Sequence, residues 1–365
     1  MNIDELLSGV NLSRMIQTTK SGLPLMIPPA FLTETDRASG NVAKFLLVEG
    51  QRDLARLASQ GSPAVRVGQK GISEKNITCL HSFESQQFLG QKLLNIRNPE
   101  NGQVSRMGEG EIMRQTVDFK KRQVNLMQAS AQYMLLNGKL FADGLGNILP
   151  SSSGAAVTVD CEIPAGQRNQ LNILDGGNII SAVWSTAGTD IVTQITNMKR
   201  AMLKKGGWPM MHAFYGANIP GYIFKNTIAK EWINRNQQLN KAAFAANDVP
   251  QGFQNLTWHN VSDAHFIDAN GDPQDMIGAD DIVFCPDPST EWWKVFTGSQ
   301  AVPQGVANYG SDALSMTGDL QEVFGMFGYA AMSHNPVAIE QFAGNNWLHA
   351  IAAKYAWCKA TVAGF

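Results

Sequence analysis

Apolar positions recur at helical spacing from Glu109 to Asn137. Met113, Val117, Val124, Met127, Ala131 and Met134 stand 3, 4 or 7 apart, and Ile112, Phe119, Leu126 and Tyr133 run beside them, so one broad stripe is apolar. No proline interrupts the segment, and Asn137-Gly138 is a pair that closes helices through a left-handed cap. The pattern predicts one unbroken helix, roughly 40 Å long at 1.5 Å per residue. Val124 and Met127 are expected to face a β layer made by strands returning at the end of the chain, with Lys121 on the polar face.

Before this helix the pattern is extended. Residues 3–16 can form a short amphipathic helix with Ile3, Leu6, Leu7 and Val10 on one face, too short to stand alone in water. Leu23-Pro24 and Ile27-Pro28-Pro29 then impose an extended path. Both a disordered terminus and an arm docked on a neighbouring subunit suit this stretch. Asn41 to Glu49 reads as a strand. Ala64-Val65-Arg66-Val67, a turn at Gly68-Gln69-Lys70-Gly71, and Ile77 to Phe83 read as a long hairpin. An isolated two-stranded ribbon is marginal in water, so this one is expected to rest on another part of the protein or on another copy.

After the helix the periodicity alternates. Strands are predicted at 139–144 and 156–161, joined by the flexible Ser151-Ser152-Ser153-Gly154. A helix over 189–204 buries Ile191, Val192, Ile195, Met198 and Met202, and ends on Lys204-Lys205, which suits the negative end of its dipole. A strand at 210–215 leads into a helix over 219–234 that opens on Pro220. Further strands are expected at 256–260, 264–268, 281–285 and 291–296, with a hairpin turn at Asn270-Gly271-Asp272. The end is β-rich: 323–332 and 349–361 are strand candidates, split by Asn335-Pro336 and by Gly344-Asn345-Asn346.

Composition changes the picture in one respect. Charged residues make up only 16% of the 365, against roughly 25% in typical soluble domains. With eight tryptophans, this suits a surface that meets other protein; a polar Asn, Gln, Ser and Thr surface fits as well. A formal net charge of −2 gives no general attraction to nucleic acid or to an anionic membrane. Cys79, Cys161, Cys285 and Cys358 are scattered with no C-x-x-C pair, which reads as four reduced thiols. The acidic start, Met1-Asn2-Ile3-Asp4-Glu5, is unlike a signal peptide. No run approaches the ~20 apolar residues of a membrane span. A soluble intracellular product is expected.

Candidate chemistry is sparse. His259 and His265 flank a turn near Asp263 and Asp268, but no third strong ligand stands at metal-site spacing. Asp268-x-Asn270-x-Asp272 opens like a calcium loop, yet its glycine is misplaced and the closing glutamate is missing. Asp280-Asp281 adds to a local acidic loop. Lys120-Lys121-Arg122 reads as a solvated helix face that could touch phosphate. Gly144-Leu145-Gly146 lacks what dinucleotide binding needs, and no Walker loop, G-x-S-x-G elbow or H-E-x-x-H occurs. No catalytic, cofactor or metal residue is assigned.

The order of arm, long hairpin, long helix, α/β segment and return to β structure resembles the HK97-type fold of tailed-bacteriophage major capsid proteins. The lambda-type major capsid family is the nearest resemblance. It is carried by Phe45 to Ala55 leading into Ser62-Pro63, by the helix ending at Leu136-Asn137-Gly138-Lys139, and by Pro220-Gly221-Tyr222-Ile223-Phe224. The resemblance implies an α+β fold with an N-terminal arm (1–40), an extended hairpin loop (41–90), a peripheral domain with the spine helix (91–186), an axial α/β domain (187–318) and a return to the peripheral domain (319–365). It implies a structural protein with no enzymatic role, self-assembling into hexamers and pentamers of an icosahedral shell around double-stranded DNA contacted non-specifically. Scaffold, portal and decoration proteins are the further partners it implies, with no membrane. The location implied is the virion capsid, made in the bacterial host cytoplasm. Some relatives of this type cross-link a loop lysine to an asparagine; here Lys70 or Lys75 with Asn345 or Asn346 would be the candidates. An intracellular α/β enzyme with a site in 188–310 is the alternative from another class, suggested by the alternation of helices and strands there.

Overall fold

A computed structural model describes residues 26–38, 40–47, 73–89, 106–144, 147–168, 183–235, 248–267, 272–303, 307–309, 320–334 and 337–363. Helix α1 spans Arg106–Asn137, beginning at Arg106 rather than at Glu109. It stops where expected: Gly138 takes a φ of 67° and its N–H donates to Met134 O at 2.8 Å. A Cβ there would press on Ile163 and Trp357, so glycine suits both the left-handed backbone and the close packing. The stripe is buried at Phe119, Val124, Ala131, Tyr133 and Met134, whereas Met127 is half-buried and Met113 is exposed. Towards its N-terminal half the covered face is polar, with Thr116, Lys120 and Gln123 buried. Lys120 therefore departs from the solvated face expected of it, while Lys121 and Arg122 are exposed as expected.

The strands before α1 are β1 (Asp36–Ala38), β2 (Val42–Leu47), β3 (Ser73–Thr78) and β4 (Leu80–Leu89). The hairpin differs from the one expected. β3 pairs antiparallel with β2, from Val42↔Thr78 to Leu47↔Ser73, while residues 64–71 lie outside the described residues. The returning stretch 77–83 is cut at Cys79, where the chain leaves the ribbon for a different sheet.

After α1 come β5 (Lys139–Ala142), β6 (Ile148–Leu149) and β7 (Val157–Asp160), a small antiparallel sheet in the order β6-β5-β7. Helix α2 (Ile191–Gly206) is capped by Asp190, whose Oδ1 accepts from Thr193 N at 2.9 Å. Strand β8 (His212–Tyr215) leads to α3 (Ile219–Lys225) and α4 (Thr227–Arg235). Sequence periodicity predicts one helix here, but the chain breaks at Asn226, with a ψ of 126°. The buried Asn226 side chain accepts from Ala229 N at 2.8 Å and donates to Thr189 O at 2.6 Å. It caps α4 instead of continuing α3.

The rest is β: β9 (Thr257–Asn260), β10 (His265–Ile267), β11 (Pro273–Asp275), β12 (Asp281–Cys285), β13 (Trp293–Pro303), β14 (Ala307–Tyr309), β15 (Leu320–Phe324), β16 (Met326–His334), β17 (Val337–Ile351) and β18 (Cys358–Thr361). β10 and β11 form the expected hairpin. Gly344-Asn345-Asn346 does not split the chain as expected; it lies inside β17, the central strand of the large sheet β1-β13-β17-β16-β14, which also takes in β4 and β15. The candidate strand 349–361 is likewise two things, the end of β17 and the separate β18.

β18 joins a second sheet, in the order β18-β12-β8-β9. Every residue of β8 is buried, because this sheet is covered on both faces. Phe214, Val283 and Cys285 point into one core with Leu135, Trp292, Trp293, Ile351 and Trp357. Ala213, Tyr215, Ile282 and Phe284 point into another with Trp184, Ile195, Met198, Met202 and Trp258. The sheet is the partition between two cores.

Candidate functional site

The ribbon β2–β3 is amphipathic by simple alternation. Ala43, Phe45 and Leu47 turn inward and are buried, with Phe45 tilted against Phe296 at 5.8 Å between ring centroids. Val42, Lys44 and Leu46 turn outward, and Leu46 is 51% exposed. The strand thus offers an apolar pair to whatever lies outside. Phe83 on β4, stacked on Phe342 at 5.4 Å, is a second large exposed apolar side chain on this part of the protein.

The ribbon is rooted in a polar knot centred on a buried asparagine. Asn346 is fully buried in β17; its Nδ2 donates to Asn41 Oδ1 at 3.2 Å and to Ser299 O at 3.1 Å, and its Oδ1 meets His81 Nδ1. Backbone bonds from Cys79 N to Asn41 O (2.7 Å) and from Ser299 N to Gly40 O (3.2 Å) close the same corner. The two ends of the ribbon are thereby tied to β13 and β17 through Asn346, whose buried amide has no water to fall back on.

A second knot joins the end of α1 to the partition sheet. Lys359 Nζ lies 3.0 Å from Asn137 Oδ1 and 2.8 Å from Asp281 Oδ2, with the lysine buried and the carboxylate partly so. Asp281 also accepts from Thr361 Oγ1 at 2.6 Å, and Asn137 Nδ2 donates to Met276 O at 2.9 Å. Removing one member of such a pair strands the other.

The candidates named from sequence are dispersed. His265 Nδ1 faces the backbone oxygen of Asp263 at 2.9 Å. His259 meets His212 instead, with Nε2 3.0 Å from His212 Nδ1, and His212 Nε2 lies 2.8 Å from Asp287 Oδ1. Burial, and then the neighbouring His212, push the His259 ionisation down to about 4. These three residues are far apart in sequence, and no local spacing signals them. Asp280 accepts from Tyr222 Oη at 2.6 Å and Asn218 Nδ2 at 2.9 Å, a structural role. Lys75 is paired with Glu162, and Asn345 and Asn346 are buried inside β17; Lys70 and Asp268 lie outside the described residues. Among the described residues no cluster of three or more His, Cys, Asp or Glu could hold a metal ion. All four cysteines are free and buried.

The sequence matches the family described as phage major capsid protein E over residues 10–298. No curated protein matches it. Among solved structures, a phage-related protein from Bordetella bronchiseptica RB50 is similar at 12% identity, with 98% of each chain covered and a TM-score of 0.51. That likeness is one of fold. A protein described as a prophage capsid protein from Escherichia coli CFT073 aligns at 15% identity, 80% of each chain and a TM-score of 0.45. A Gordonia phage Cozz protein aligns at 12% identity over 95% of this chain and 89% of its own, with a TM-score of 0.46.

Proposed function

The chain belongs to the phage major capsid protein E family and is a structural protein of the phage capsid, and from that premise we propose that it builds an icosahedral head from hexamers and pentamers of itself. The head encloses double-stranded DNA. The net charge of −2 suits a wall that touches packaged DNA only non-specifically. The subunit is made in the host cytoplasm before assembly, where scaffold, portal and decoration proteins are its further partners. It performs no catalysis of its own. Alternating helices and strands over 188–310, which also suited an enzyme, are accounted for by the second core and its partition sheet.

The observation that carries the reading is the outer face of the ribbon. Val42 and Leu46 are exposed on a two-stranded element, and β4 pairs only with β17 among the described residues. The inner face of the ribbon packs on its own chain, but its outer apolar face is uncovered, and an open edge invites a partner. A neighbouring subunit laid against this face supplies both. The arm, the extended loop and the peripheral and axial domains retain the boundaries drawn above as part of this proposal. Leu46→Glu tests it: the side chain is exposed, so the subunit should fold with a melting temperature close to wild type. Assembly, followed by sedimentation velocity, should fall at least about tenfold, the loss that 1.4 kcal/mol per contact gives. Normal assembly by this variant would remove the ribbon from the interface.

A further inference from the structure

Phe31 is the point at which the N-terminal segment is pinned. It lies in a 3-10 turn, Pro29–Leu32, and its ring is fully buried. Four rings meet it edge-on: His212, Phe214, Trp292 and Trp293, at centroid distances of 5.9, 6.0, 6.0 and 5.8 Å. Trp293 Nε1 donates to Phe31 O at 2.9 Å. Beyond the turn, Thr35 N donates to Val295 O at 2.9 Å, Lys294 pairs with Asp36 at 2.8 Å, and β1 runs parallel to β13.

One of the four rings can change its charge. His212 Nδ1 and His259 Nε2 are 3.0 Å apart, so one proton serves both nitrogens, with one ring donating and the other accepting. With both rings charged, two N–H groups face each other and the bond is gone. Among the described residues Asp287 is the carboxylate bonded to the pair, and its side chain is 67% exposed, so solvent screens it and it can offset only one of two charges. Cys285, opposite His212 across β8 and β12, is a buried thiol whose ionisation is pushed well up by burial, and it stays neutral. Phe31, Phe214 and Trp292 bring no charge. On the far side of Trp293, His349 stacks at 6.0 Å, and burial holds its ionisation down to about 3, a lower window than that of the pair.

We propose that the His212–His259 pair is an acid-sensitive latch on the N-terminal segment: charging both rings frees the Phe31 turn and β1 from the body before the two cores unfold. The direction follows from linkage. His259 is held below its ordinary value of 6.5, at about 4, so the closed form resists the proton and the open form takes it up. The hold is complete above about 6.5 and is lost as pH falls towards 4. If opening returns His259 to water, the opening equilibrium grows about twentyfold between pH 7 and pH 5.

Hydrogen exchange on the full chain reads this directly. After correction for intrinsic rates, amides of residues 31–38 should lose about twentyfold in protection between pH 7 and pH 5, with β8 and β12 unchanged. In His259→Gln and His259→Phe the loss should shrink to less than about twofold. Wild-type protection of 31–38 that survives at pH 5, or that falls together with β8 and β12, overturns the latch, as does an equal loss in both variants.

Discussion

His349 shows what single residues in this protein conceal from the sequence. It is an ordinary histidine in a β-type stretch, yet it is buried in β17 with neither ring nitrogen bonded among the described residues. Burial lowers its ionisation to about 3. The folded state therefore binds this proton less readily than the unfolded chain. Its contribution to stability is full above about pH 6.5 and declines towards pH 3, by about 1.4 kcal/mol per pH unit. His349→Leu should remove that decline, so thermal melts of variant and wild type should diverge steadily on acidification from pH 7 to pH 4; parallel curves would contradict it. On α1 the apolar pattern was more readable. Val124 is buried and Lys121 exposed, as the spacing implies. Val124→Asp should strand a charge in the core at a cost of several kcal/mol and abolish soluble folding, whereas Lys121→Asp should melt near wild type by circular dichroism. Lys120, one residue away, is buried against expectation, because the burial of a charged side chain on a helix leaves no trace in local spacing. Desolvation there lowers its ionisation.

At the scale of elements, periodicity finds most strands and helices but misjudges several interruptions. Asn226 reads as a helical residue in the sequence, although its side chain caps the next helix. Gly344-Asn345-Asn346 reads as a break because these are turn-forming types. Inside β17 they serve other ends. A Cβ on Gly344 would stand 2.7 Å from Ser82 O and 2.5 Å from the Phe327 ring, so glycine is what lets β4 and the aromatic layer approach. Asn346 supplies the knot under the ribbon. Neither use can be seen without the partners, which lie up to 305 residues away in sequence. Gly344→Ala should accordingly destabilise the protein by about 1–3 kcal/mol, measured by urea titration, with exchange rising first in β4; an unchanged midpoint would show that the sheet has slack there.

For the whole molecule, the order of spine helix and returning strands is legible in the sequence, and the family match agrees with the reading it suggested. The partition was not. That β18 leaves the large sheet to flank β12, so that one sheet serves two cores, depends on which face each buried strand presents, and a strand buried on both faces has no alternation to read. The arrangement gives a subunit with two packed cores whose ribbon keeps an apolar face for a neighbour. Electron microscopy of the purified full-length protein tests that account most directly. Closed shells, or hexameric and pentameric capsomers with the ribbon lying against the adjacent subunit, are the expected result. Discrete monomers or small oligomers that form no shell and no capsomer would contradict it.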